Sequence, residues 1–343
     1  MSFYNKLKKC GISVNELRNS EILITGATGM IGSVLAINLI ELEEEAELGI
    51  TILLMARNKD KVNRSLAKYI ESGKIKLLIG DVTDKEFIDN ITEAADYIVH
   101  AASITESKAM IEKPVEVIMT NVCGTKNILD YAKKANSKSV VYLSSMEAYG
   151  FTENETLLDE SNMQYLNPLA LRSSYPESKR MAENLCAAYS SEYSVPVKII
   201  RLAQTFGKGV KENDTRAFAE FARCSQNGKD IVLRTDGSSK RMYLDTSDAA
   251  TAIITVMLKG KNGSAYNAAN KDTYCSIAEM AKIAADNISS GKTKVCFDSS
   301  GNAAEYPPSH KFFLDTSKIE SLGWHAETGL IQMYVEMISG WKC

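Results

Sequence analysis

The stretch "ILITGATGMIGSVLA", Ile22 to Ala36, decides the fold. An apolar run of strand type ends at Thr25. Gly26, Gly29 and Gly32 follow at regular spacing, and the chain then takes on the pattern of a helix. The first glycine permits a tight turn, the second lets an anion reach the backbone, and the third lets helix pack on strand. The N-terminus of such a helix offers unpaired N–H groups to a pyrophosphate. The stretch therefore reads as a dinucleotide site, with Gly26, Thr28, Gly29, Met30 and Ile31 forming its loop.

A glycine triplet alone is often only a turn, so the surrounding rhythm matters. Strand-like runs recur at 21–26, 51–56, 74–80, 95–102, 139–145 and 197–203. They are continuously apolar, as strands covered on both faces should be. Amphipathic stretches such as "SVLAINLIELEEEAEL" and "NVCGTKNILDYAKKA" lie between them. This alternation predicts an α/β fold built on a doubly wound parallel sheet. After residue 203 the rhythm changes. "DTRAFAEFARCSQNGK" and "SIAEMAKIAADNI" read as helices. "DIVLRTDGSSKRMYLDTSDAATAIITVMLKG" reads as strand, turn, strand, helix, and "PPSHKFFLDTSKIESLGW" as loop and short helix. The expected organisation is an N-terminal extension at 1–19, a dinucleotide-binding domain at 20–203 and a smaller α/β lobe at 204–343, mainly for substrate. Elements are expected to pass between the two.

Composition narrows the class. The chain has 343 residues, 45% hydrophobic and 24% charged, with net charge −3. That balance gives no electrostatic case for nucleic acid or an anionic membrane. The seven cysteines, at 10, 123, 186, 224, 275, 296 and 343, form no CxxC pair and no framework spacing. They read as buried reduced thiols of an intracellular protein, with no metal site. No apolar run approaches the roughly 18 residues of a membrane span, and the N-terminus lacks a signal-peptide core. A soluble, cytoplasmic protein is expected.

The second strand ends in "LLMARNKDK". An NAD site usually carries a carboxylate here to hold the ribose 2′-hydroxyl. Arg57 suits a 2′-phosphate better, which favours NADP and leaves NAD open. Asp81 and Val82 in "GDVTD" stand where an adenine edge would lie. In "IVHAAS", the backbone near Ala101 and Ala102 lines the cofactor path.

"SSYPESKRMAENL" places Tyr175 and Lys179 one turn apart on one helix face. An ammonium near a phenol favours the phenolate and lowers its pKa. Tyr175 is thus a candidate acid/base for a substrate hydroxyl, and Lys179 can also hold a cofactor ribose. "YNKLK" at Tyr4–Lys8 has the same spacing without the context. Upstream, "VVYLSSMEAYG" (140–150) ends a strand in Ser144 and Ser145. A hydrolase nucleophile is disfavoured, because the G-x-S-x-G elbow is absent.

TGxxGxxG, "HAAS", "NVCGTKNIL", "SSMEAYG", "YPESK" and "RLAQTFG" follow one another as in the extended short-chain dehydrogenase/reductases. "KRMYLDTSDAATAI" and "LDTSKIESLGW" resemble that family's C-terminal signature and closing segment. The chain from about residue 20 on thus resembles the NAD(P)-dependent epimerases and dehydratases of nucleotide sugars. The resemblance implies a Rossmann-type sheet and a Ser145, Tyr175, Lys179 catalytic triad acting at a sugar C4. Ser103, Ser145, Gln204, Arg216 and Arg241 would contact a nucleotide-diphosphate sugar. Asn121 and Arg201 would be organising residues. His310 and Lys311 stand where the family often has another Arg. A homodimer through a four-helix bundle is also implied.

The same resemblance ranks the reactions. Met146 stands where 4,6-dehydratases place the acid that expels the leaving hydroxyl, so ordinary dehydration is disfavoured. A 4-epimerase comes first, a UDP-glucuronate decarboxylase second and a 4-keto-sugar reductase close behind. A non-catalytic dinucleotide sensor is remote. Glu147, a further catalytic candidate, decides among them. If it reaches the sugar, decarboxylation or proton abstraction gains. If it only braces the turn, epimerisation or reduction stands.

Overall fold

The computed structural model describes residues 1–62, 66–152, 154–289, 291–298 and 310–341. Pro307–Ser309 of the closing segment and Cys343 lie outside the described residues. The six apolar runs form strands β1 (Glu21–Thr25), β2 (Thr51–Ala56), β3 (Ile75–Ile79), β4 (Tyr97–His100), β5 (Ser139–Ser145) and β6 (Val197–Leu202). A short seventh strand, β7 (Ala265–Ala268), arrives from the C-terminal half. All pair in parallel in the order β7-β6-β5-β4-β1-β2-β3. The order reverses between β1 and β4, and open α/β sheets bind ligands at such a switch point, outside the carboxyl ends of the strands.

Five helices frame this sheet: α1 (Phe3–Lys9), α2 (Met30–Ala46), α3 (Pro114–Ala135), α4 (Ser174–Tyr193) and α5 (Thr246–Lys259). Each has a local reason to start or stop. Pro114 opens α3, where its missing N–H goes unneeded, and Asn136 ends it in the left-handed conformation. Asp245 caps α5 by accepting from the Ser247 N–H. Helices α3 and α4 lie side by side and leave Val115, Met119 and Met181 exposed. The first residues are not loose. Phe3, Leu7, Ile12, Val14 and Leu17 are buried in the same cluster as Ile22 and Ile24, with α1 against α2 and α5.

The smaller lobe holds a five-stranded sheet of Leu157–Leu158, Gln204–Phe206, Lys240–Asp245, Asn270–Ser276 and Lys311–Leu314. Helices Ala217–Gln226, Ile277–Ile288 and Leu330–Trp341 pack a separate apolar cluster around Phe206, Tyr243 and Tyr334. Between the lobes the chain goes back to the large sheet through α5 and β7. No described helix is long and apolar enough to cross a membrane.

Candidate active site

The cofactor end is made of backbone. Gly26 has φ +68°, and a Cβ there would lie 2.8 Å from the Ala101 and Ala102 backbone. A Cβ on Gly32 would lie 2.5 Å from the Gly26 carbonyl oxygen. Gly29 caps α2 with no side-chain hydrogen bond, so the first-turn N–H groups stay available to an anion. Thr28 and Ile31 are half-buried beside it, and Met30 packs against the smaller lobe. A cradle that side chains would fill is what a pyrophosphate requires, so these residues fit a dinucleotide.

Below the loop, the Ala102 N–H donates to Thr25 Oγ1 at 3.1 Å, and Thr25 Oγ1 meets His100 Nδ1 at 2.7 Å. His100 Nε2 meets Thr125 Oγ1 at 3.1 Å, and that hydroxyl donates to the Asn121 carbonyl at 2.5 Å. With the Thr125 proton so committed, Nε2 must be the donor and Nδ1 the acceptor. Burial pushes His100 down to about 3, so the ring is neutral and braces the cofactor loop.

At the adenine end, Arg57 Nη1 lies 3.7 Å from Asp81 Oδ2 and 3.8 Å from Glu116 Oε1. Asp81 also accepts from the Thr83 N–H and hydroxyl, both at 2.8 Å. Val82 is buried, and its carbonyl accepts from Asn127 at 2.9 Å. Glu116 is remote in sequence. Two carboxylates beside Arg57 counter its attraction for a 2′-phosphate, which removes much of the reason to favour NADP.

The candidate catalytic side chains meet where β5 ends. Ser145 caps the turn Met146–Tyr149, accepting from the Glu147 N–H at 3.2 Å. Its hydroxyl faces the buried Tyr175 phenol at the start of α4 and favours the phenolate. One turn on, Lys179 is buried, and its Nζ donates to the Leu143 carbonyl at 2.7 Å. That Nζ lies 4.8 Å from the Tyr142 ring centroid and 5.7 Å from that of Tyr175. Burial lowers Lys179 to about 7, with Glu183 opposing. The expectation of a lowered Tyr175 pKa needs correction. Burial raises the phenol above its ordinary value and Glu147 adds to this, while Ser145, Arg172 and Arg216 pull the other way. Lys179 is turned to a backbone carbonyl instead, so the resting site holds Tyr175 protonated.

A polar frame fixes this group. The Ser103 hydroxyl donates to Asn121 Oδ1 at 2.7 Å, Asn121 Nδ2 to Ser178 Oγ at 2.8 Å, and Ser178 Oγ to the Tyr175 carbonyl at 2.9 Å. The proton of Ser103, a sequence candidate for substrate, is thus committed to Asn121. Ser144 donates to Glu183 Oε1 at 2.5 Å, which gives the first serine of the pair a structural role. Glu183 also receives Arg201 Nε at 3.0 Å and Nη2 at 2.7 Å. Sequence reading missed Glu183; its signal was the one-turn spacing after Lys179 on the same α4 face. Arg180, also missed, donates to the Ala148, Tyr149 and Gln164 carbonyls and pins the turn after Ser145.

At the sugar end, Ser145 and Arg180 hold the turn through hydrogen bonds to its backbone, and Glu147 ties it to the residues before α4. Its carboxylate pairs with Arg172 Nη2 at 2.9 Å. Met146 is buried in the apolar core and offers no proton. Arg216 is paired with Asp214 through Nε and Nη2, at 3.0 and 2.6 Å. Arg241 Nη2 lies 2.9 Å from His310 Nε2, and among the described residues the Arg241 Nε has no hydrogen-bond partner. Lys311 lies 4.0 Å from Glu155. Gln204 is half-buried on the strand beside Tyr243. The structure thus gathers Ser145, Glu147, Tyr175 and Lys179, with Arg172 and Arg216 in electrostatic reach. Gln204 and Arg241 belong to the neighbouring small sheet. No cluster of metal-ligating side chains occurs among the described residues.

Known proteins match this arrangement. The sequence profile described as the NAD dependent epimerase/dehydratase family matches residues 22–269. A UDP-N-acetyl-alpha-D-glucosaminuronate decarboxylase from Bacillus cytotoxicus is 31% identical over 268 residues, covering 76% of this chain and 78% of that protein. UDP-glucuronic acid decarboxylase 6 from Arabidopsis thaliana is 28% identical over 315 residues, covering 91% of this chain and 86% of that protein. In fold, the chain resembles the UDP-glucose 4-epimerase of Thermotoga maritima, solved with UDP-glucose. The TM-score is 0.79 at 20% identity, with 94% of this chain and 98% of that chain covered.

Proposed function

The chain belongs to the NAD dependent epimerase/dehydratase family, and on that premise we propose that it oxidises and re-reduces C4 of a nucleotide-diphosphate sugar. The observation that carries this reading is the Ser145 hydroxyl facing the buried Tyr175 phenol, with Lys179 one turn further along the same helix. The Gly26–Ile31 loop would hold the cofactor pyrophosphate, and Lys179 its nicotinamide ribose. When bound, NAD supplies the hydride acceptor and donor at C4.

Tyr175 exchanges the C4 hydroxyl proton. As phenolate it accepts the proton during oxidation, and as phenol it returns it during reduction. Burial favours the phenol, so oxidation needs the phenolate stabilised. Ser145 does this by hydrogen bonding, and Arg172 and Arg216 by charge. Ser145 also bonds the C4 oxygen and keeps it aligned. Gln204, Arg216 and Arg241 are the residues we assign to the nucleotide diphosphate and sugar, with Ser103 beside them. Assembly as a homodimer through the exposed apolar faces of α3 and α4 belongs to the same proposal.

Met146 rules the usual acid of 4,6-dehydration out of its place. Epimerisation at C4 requires no further group, and it is the net reaction we take first. Decarboxylation is the second reading, favoured by Glu147 and Arg172 beside Tyr175 and by the named decarboxylase relatives. The test incubates the protein and NAD with UDP-, dTDP-, CDP- and GDP-sugars. Mass spectrometry detects loss of carbon dioxide or water, and NMR detects a C4 epimer of unchanged mass. An epimer is expected, and loss of carbon dioxide selects the second reading. Loss of water contradicts the role given to Met146, and no reaction with any sugar contradicts the whole reading.

A further inference from the structure

Tyr149 ends the turn that Ser145 caps. Its side chain is wholly buried, and burial pushes the phenol up to about 12, so it is protonated and donates. The acceptor is Asn267 Oδ1 at 2.7 Å, 118 residues further along the chain on β7. Asn267 is wholly buried too. Its Nδ2 donates to the Leu158 and Asp315 carbonyls, both at 3.0 Å, and its backbone N–H donates to Glu160 Oε1 at 2.8 Å. The two carbonyls fix which end of the amide is nitrogen, and the phenol fixes which is oxygen. An amide accepts one bond and donates two at once. An aspartate of the same length accepts but cannot donate, and a leucine leaves all three partners unpaired.

These partners belong to different parts of the molecule. Leu158 ends a short strand of the small sheet, and Asp315 follows the neighbouring strand Lys311–Leu314. That strand pairs with Lys240–Asp245, where Arg241 stands level with Phe312. One amide therefore joins the turn of Ser145 and Glu147 to the sheet of Arg241. The other hold on the turn, Arg180 on the Ala148 and Tyr149 carbonyls, comes from α4 beside the large sheet. A substrate that reacts at sugar C4 and is held at its diphosphate needs those two ends a set distance apart, because small misplacements of a reacting atom are costly.

Resting on the nucleotide-sugar reading above, we propose that Asn267 is a positioning residue: through Tyr149 it holds the Ser145 turn at a set distance from the Arg241 sheet, and so places the C4 hydroxyl against Ser145 and Tyr175.

The test measures turnover of the UDP-, dTDP-, CDP- and GDP-sugars by the NAD-loaded protein. It uses the natural chain, Tyr149→Phe, Ser145→Ala, the double variant and Asn267→Asp. Tyr149→Phe keeps the buried ring and loses one hydrogen bond. Its kcat should fall at least about fivefold, with the KM for sugar and for NAD changed less than about threefold. Tyr149 acts through Ser145, so the same change in the Ser145→Ala background should cost less than about threefold. A misplaced Ser145 favours the phenolate less, so the limb of the kcat–pH profile that reports Tyr175 should move to higher pH in Tyr149→Phe. Asn267→Asp keeps the acceptor for Tyr149 and loses both donated bonds, so it should raise the sugar KM as well as lower kcat. Thermal melting and NAD binding show which variants fold, and where Asn267→Asp does not, Tyr149→Phe and the double variant decide. A smaller loss of kcat in Tyr149→Phe, an equal loss with and without Ser145, or an unmoved pH limb overturns the proposal and leaves the nucleotide-sugar reading standing. If the natural chain binds NAD but turns over none of the sugars, both fall together.

Discussion

Two arginine–glutamate pairs flank the catalytic helix, and the same chemistry does different work in each. Arg201 and Glu183 are almost wholly buried, at 4% and 8% side-chain exposure, and every guanidinium nitrogen has a partner. Ser144 and the Tyr149 ring complete the enclosure. Arg172 and Glu147 are about one-third exposed, and two of the three guanidinium nitrogens have no partner among the described residues. The first pair is a fastener joining β5, β6 and α4. The second keeps donors open beside the Tyr175 phenol. The difference teaches that a charged pair near a candidate active site must be judged by its unused donors, because each pair lies near one of its residues, Glu183 near Lys179 and Glu147 near Tyr175.

The comparison makes graded predictions. Glu183→Ala leaves the Arg201 charge buried and unpaired, so stability to urea should fall by about 3–5 kcal/mol. A loss as small as that of an exposed pair would erase the distinction between the two pairs. Tyr175 lies between the pairs and belongs with the second. Tyr175→Phe keeps the packed ring, so turnover should fall about 10²–10⁴-fold with melting temperature and NAD binding retained. A variant that loses stability along with turnover would place Tyr175 with the fastener instead.

Lys179 gives the pH dependence. Burial holds it at about 7 in the folded chain, against 10.5 unfolded. Between those values the unfolded chain binds the extra proton, so the stability contributed by this residue rises with pH across the window. Lys179→Met removes the buried charge. The variant's advantage in urea unfolding should be greatest below about pH 7 and shrink toward pH 10.5. An advantage that stays constant or widens over that range contradicts the sign. The smallest effect belongs to Glu147→Ala, which should change stability by no more than about 1 kcal/mol, as for other exposed pairs.

Much of the fold was legible because strands buried on both faces are continuously apolar, as in "TILLMA" and "SVVYLSS". The seventh strand escaped notice because "AYNA" is short and follows elements of the other lobe. The N-terminal residues read as an appendage, yet Phe3 and Leu7 are wholly buried, and their polar neighbours hid so short an apolar face. At the site, Ser145, Tyr175 and Lys179 were readable because each sits at a motif position on a strand end or helix face. The pairs were not. Arg172 and Glu147 are 25 residues apart and meet only once the turn after β5 folds against α4. Glu116 likewise reaches Arg57 only once the start of α3 is folded near the end of the second strand. The lowered phenol pKa was a wrong inference of the same kind, since spacing shows that Lys179 is near but not that it faces the Leu143 carbonyl.

The central claim is that hydride leaves and returns at sugar C4 under Tyr175. The most direct measurement uses UDP-glucuronate carrying deuterium at C4, incubated with the NAD-loaded protein. The account predicts slowed turnover and transient reduced cofactor carrying the deuterium, and predicts that Tyr175→Phe abolishes both. Turnover at an unchanged rate with no label on the cofactor would contradict it.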